Sequence, residues 1–75
     1  MIMTEGEYFR EQLITFIENH KEDFISDYEY LIEILKDKNR RIPIRGIKGS
    51  MRGCDQSKYS DAEKEMLDEA MYRYG

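Results

Sequence analysis

The sequence predicts a mainly α fold: a compact three-helix domain with a glycine- and arginine-rich extended segment, or a small β-hairpin, between the second helix and the third. Three observations carry this expectation. Apolar residues recur at helical spacing in three stretches. A hydroxyl residue with glutamate three positions on marks helix starts at Thr4, Ser26 and Ser60. Between residues 39 and 58, Pro43, Gly46, Gly49 and Gly53 break the helical pattern. A chain of 75 residues, 40% hydrophobic and 37% charged, fits one small domain spanning residues 1–75.

The first helix is expected over about 5–19. Thr4-Glu5-Gly6-Glu7 reads as a capping box, and Phe9, Leu13, Phe16 and Ile17 fall on one face behind it. His20 and Phe24 continue that stripe, so a longer rod is the competing reading. Asn19-His20-Lys21-Glu22 and Ser26-Asp27-Tyr28-Glu29 both resemble further capping boxes. A break near 20–26 and a second helix over about 27–38 accommodate them, with Tyr28, Leu31, Ile32 and Leu35 as its apolar stripe. Over 39–58, Ile42 and Ile44 alternate with Pro43 and Arg45, which suits a short edge strand. Gly49-Ser50 and Gly53 offer turn points for a hairpin. Ser60-Asp61-Ala62-Glu63 then opens a third helix over about 61–73. Met66, Leu67, Ala70 and Tyr74 line its inner face, and Asp61, Glu65, Asp68 and Tyr72 line its outer face.

Several function classes are disfavoured at once. Cys54 is the only cysteine and His20 the only histidine. An internal disulfide, a cysteine zinc site and a histidine-pair metal site therefore have no residues to build them. No cofactor or metal is expected. Gly46-Ile47-Lys48-Gly49 matches the short G-x-x-G pattern of KH-type RNA binders, but its flanks read as extended rather than helical. No Gly-Lys-Ser/Thr precedes a helix, so a phosphate loop is not expected. Cys54 and His20 have no third group to orient them, and an enzyme is not expected. The chain lacks an apolar run of about 18 residues and a basic-then-apolar leader. A soluble, cytoplasmic protein without membrane contact is the expectation.

Charge is the most informative pattern. Residues 1–35 carry nine acids and two bases; residues 36–58 carry eight bases and two acids; residues 59–75 carry five acids and two bases. The net charge of −4 hides this segregation. The blocks either neutralise one another within the fold or present two surfaces to different partners.

Three candidate surfaces follow. Glu7, Glu11, Glu18 and Glu22 share one side of the first helix if it runs past His20. Carboxylates four residues apart rise about 6 Å along the axis, a spacing that imitates a phosphate backbone. Tyr30 and Ile34 lie opposite the main stripe of the second helix, flanked by Asp27, Glu33 and Asp37. Either they pack under the 40–58 segment or they meet a partner, for which tyrosine is well suited. The third surface is the basic segment, with Arg40, Arg41, Arg45, Lys48 and Arg52 as alternative contacts to nucleic acid or to a partner.

The favoured expectation is a non-enzymatic protein-binding inhibitor or regulator. Its acidic helices would occupy a basic groove of a nucleic-acid-processing enzyme. In size, charge and helical make-up the chain resembles the small acidic proteins that phages use against host defence, anti-CRISPR proteins included. That resemblance would place it in the host cell cytoplasm, and it carries over no residue roles. The alternatives are a small nucleic-acid-binding protein using the basic 36–52 segment, and a homo-oligomeric assembly factor, such as a symmetric dimer joined by its opposite charge blocks.

Overall fold

Thr4 starts the first helix, α1, Glu5–Asn19, by accepting the Glu7 backbone N–H at 3.2 Å. The Thr4 hydroxyl in turn donates to the Glu7 carboxylate at 3.0 Å. A computed structural model describes residues 3–75 of the chain. Phe9, Leu13, Phe16 and Ile17 of α1 are buried, as their spacing predicts. The helix ends at Asn19 rather than running on, and a 3-10 turn at Lys21–Asp23 carries the chain to the buried Phe24. Neither Asn19 nor Ser26 becomes a helix cap. Asn19 is the last residue of α1, and α2, Tyr28–Lys36, is preceded by Asp27. The Asp27 carboxylate does not cap α2 but accepts the Ser50 hydroxyl at 2.8 Å.

The largest departure from expectation lies in the 39–58 segment. It forms no strand or hairpin among the described residues. Ile44–Met51 is a helix, α3, and Gln56–Lys58 is a second 3-10 turn. The described residues therefore form four α-helices instead of three. Pro43 is no obstacle, because it sits just before the first turn, where its missing N–H breaks no bond. Its carbonyl accepts the Ile47 N–H at 3.0 Å. Gly46 and Gly49 each cost about 1 kcal/mol relative to alanine inside a helix. Burying Ile44, Ile47 and Met51 on one face outweighs this, at about 1.5–3 kcal/mol per side chain. The alternation read as a strand is thus the start of an amphipathic helix: Ile44, Ile47 and Met51 repeat at three and four residues.

Asp55 closes the connection after α3. Its carboxylate accepts the Ser57 N–H at 3.0 Å and the Ser57 hydroxyl at 2.7 Å. Gln56 donates to the Met51 and Cys54 carbonyls, satisfying the end of α3. The last helix, α4, Asp61–Tyr74, opens with a complete capping box. Glu63 N–H donates to Ser60 Oγ at 3.1 Å, and Ser60 N–H donates to Glu63 Oε1 at 2.9 Å. In the assembled domain α1 packs against both α2 and α4, and α3 lies on α4. One core joins all four helices with the turn residues Phe24, Ile42 and Tyr59.

Candidate functional site

The N-terminal part of α1, the connection from α2 to α3 with the first turn of α3, and the C-terminus of α4 meet at one end of the domain. Two adjoining depressions of about 460 and 430 Å³ open there and share Arg41, Ile42, Tyr74 and Gly75. Arg10 and Lys38 line the first, and Arg40 and Arg45 line the second. Glu7 is the only acidic side chain among the described residues that line either one.

Arg10 builds this end. Its guanidinium donates to the Ile34 and Leu35 carbonyls at 3.0 Å each, and also to the Arg40 carbonyl. The first two are last-turn carbonyls of α2; that of Ile34 also accepts the Asp37 N–H at 3.1 Å. Arg10 thus closes α2 and pins the following connection in one step. Sequence reasoning missed it. Its available signal was its place as the one base of α1, beside the apolar stripe. Arg73 is also held, by Glu5 and by Glu69, the latter at 2.7 Å, and those bonds raise its already high pKa. Arg40, Arg41 and Arg45 are different: all three are exposed, and none forms an ion pair among the described residues. Of the five basic contacts expected from sequence, these three converge on the cleft. Lys48 pairs with Asp68 at 3.3 Å, and Arg52 follows the far end of α3 outside the cleft.

The carboxylate row does not assemble as one surface. Glu7 holds the Thr4 cap and lies 3.8 Å from Lys38. Glu11 shares a shallow groove between α1 and α2 with Lys36 and Lys38. Glu22 leaves the row because α1 ends before it, and it lies 3.8 Å from Lys58. Only Glu18 is both exposed on α1 and clear of these basic residues. The second face of α2 divides. Ile34 is buried at 5% exposure and lines the cleft with Ile42 and Pro43, whereas Tyr30 is 59% exposed. Glu33 is exposed beside Tyr30, while Asp27 and Asp37 take internal bonds from Ser50 and the Asn39 backbone.

At the other end of α1 a polar knot uses up its own charges. Asp23 accepts from Lys58 and from the Tyr59 hydroxyl, the latter at 2.7 Å, with its side chain only 5% exposed. Burial pushes the Asp23 carboxyl up, but the bonds from Lys58 and Tyr59 outweigh it, and its pKa lies below the ordinary 3.8. Lys58 is raised by the same contact. Burial and then the Asp23 carboxylate push the Tyr59 hydroxyl far above its usual range. His20 Nε2 donates to Glu63 Oε2 at 2.9 Å, and His20 stacks among Phe16 and Tyr59. Burial of Glu63 is likewise outweighed, by the Ser60 N–H and His20, and its pKa falls below 4.5.

Ligand atoms of His20, Glu22 and Asp23 lie within 4.8 Å of one another, which would suit a cation. Both Asp23 oxygens already accept bonds, as does the Glu63 partner of His20, so a metal would have to displace Lys58, Tyr59 or that pair. Cys54 points its thiol at the Ser50 carbonyl at 3.8 Å, and His20 faces Glu63 instead of the thiol.

No family model, curated protein or solved structure matches the chain. No described helix is long and apolar enough to cross a membrane.

Proposed function

We propose that the protein is a small, non-catalytic binding module that grips phosphate-bearing nucleic acid through the basic cleft. The observation that carries this reading is the convergence of Arg40, Arg41 and Arg45 on a concave surface where no carboxylate pairs them. Unpaired like charges crowd one another and favour a polyanionic partner, which releases its counterions on binding. Four other bases face carboxylates: Lys38 against Glu7, Lys48 against Asp68, Lys58 against Asp23, Arg73 against Glu5. Among the bases without an ion pair, which include Arg52, these three arginines are set apart by lining one concave surface together. The test is fluorescence anisotropy with labelled oligonucleotides over a salt series. Three phosphate contacts to a single strand predict a slope of log affinity on log salt of about −2. R41E/R45E should abolish binding and leave the helical circular dichroism intact. Wild-type affinity in that variant, or affinity independent of salt, would sink the reading.

A second reading keeps the acidic helices as the working surface, with the protein as an inhibitor seated in a basic groove of a nucleic-acid-processing enzyme. It is favoured by Tyr30, 59% exposed on α2 with Glu29 and Glu33 exposed beside it. An exposed tyrosine in an acidic setting is good contact chemistry for such a groove. Its weakness is the division of the carboxylate row, since Glu7 and Glu22 already face lysines of the same chain. Y30A/E33Q would weaken capture of such an enzyme and leave oligonucleotide binding unchanged.

A further inference from the structure

Resting on the cleft reading above, we infer that the occupant is a single strand, of either DNA or RNA, whose bases enter the two depressions while its phosphates meet the arginine rims. The cleft is not uniformly polar. Its rims are Arg40, Arg41 and Arg45, but its walls include the buried Ile34 and Ile42 together with Pro43 and Tyr74. A ligand that is charged throughout, such as an acidic peptide or a duplex backbone, leaves that apolar lining uncovered. A single strand alternates phosphates with unpaired aromatic bases and matches both.

Tyr74 lines both depressions and is half-buried, with its ring braced edge-on against Phe9 at 5.6 Å. A braced ring at the junction of two pockets is a stacking platform that loses little freedom when a base lands on it. The surroundings also disfavour a duplex. Glu7 forms part of one wall. A second strand lying beside the first would meet this carboxylate. The domain extends 35 × 25 × 21 Å, and the cleft occupies one end of it, so the footprint is a few nucleotides.

The experiment measures affinity for labelled single-stranded DNA, single-stranded RNA and duplex DNA of mixed sequence, with polyglutamate as competitor. The variants are Tyr74→Leu, which keeps apolar volume without a π-face, and Tyr74→Phe, which keeps the ring. A single strand of either sugar should bind about tenfold more tightly than the duplex. Tyr74→Leu should weaken that binding about tenfold with the salt slope unchanged, and Tyr74→Phe should leave it as in the wild type. Urea unfolding of both variants verifies that the fold persists. If Tyr74→Leu does not fold, loss of the single-strand preference in Tyr74→Phe overturns the platform. Equal affinity for duplex and single strand overturns this inference and leaves the basic cleft standing. Polyglutamate competing as well as the oligonucleotide at equal charge overturns it in favour of an acidic protein partner. Absence of binding to every nucleic acid overturns the cleft reading itself.

Discussion

The two ends of α1 handle charge in opposite ways. At its C-terminal end, His20, Asp23, Lys58, Tyr59 and Glu63 satisfy one another, and aromatic rings seal the knot. At its N-terminal end, Arg10 is consumed by backbone carbonyls, yet Arg40, Arg41 and Arg45 stay unpaired around an open cleft. A buried carboxylate is costly without partners, so the knot belongs to stability. Exposed guanidinium groups cost the fold little and remain free to bind. Charge that the fold uses is thereby separated from charge that it displays.

The strongest way to break that contrast is to open the knot. Tyr59 is 3% exposed against Phe16 and His20, and Tyr59→Ala should destabilise the domain by about 3–5 kcal/mol in urea unfolding. Tyr59→Phe removes only the bond to Asp23 and should cost about 1 kcal/mol. Oligonucleotide binding per folded molecule should be unchanged in Tyr59→Phe; a matching loss of binding would show that the two ends are one site.

Arg10 links stability with the cleft. Arg10→Met leaves three carbonyls without their charged donor and should cost about 2 kcal/mol. It should also weaken binding, because the Arg40 carbonyl is no longer pinned. Stability that falls while affinity holds would mean that the connection keeps its shape without Arg10.

Acid should separate the ends by pH. The Asp23 and Glu63 carboxyls are held below 3.8 and 4.5, so the native state holds fewer protons than the unfolded chain in that range. Their stabilisation is fully present above the unfolded values and is lost as pH falls through the depressed native ones. The urea midpoint should therefore drop between about pH 5 and about pH 3, and Asp23→Asn should flatten part of that drop. An unchanged pH profile in Asp23→Asn would remove the knot from the acid response.

The smallest effect probes α3. Gly49 has open space around an added Cβ and no positive φ. Gly49→Ala should stabilise the domain by about 0.5–1 kcal/mol, since it restricts only the unfolded chain. Destabilisation would contradict the helix at Ile44–Met51.

Periodicity and capping chemistry, which are local, determined α1 and α4 from residues alone; periodicity placed α2, while the capping boxes read at Asn19 and Ser26 do not form. Thr4 and Ser60 cap the helices that their sequence contexts announce, and the stripe Phe9, Leu13, Phe16 and Ile17 is the core face. The segregation of charge was also legible, and it pointed to both candidate surfaces. What the sequence left open, tertiary structure decided. Gly46, Gly49 and Pro43 argue locally against helix, and only the apolar surface offered by the other helices makes burial of Ile44, Ile47 and Met51 worth their cost. The same holds for charge. Which carboxylates are spent on lysines and which arginines are left free depends on contacts such as Glu7 with Lys38 and Lys48 with Asp68, across separations in the chain that no local pattern encodes.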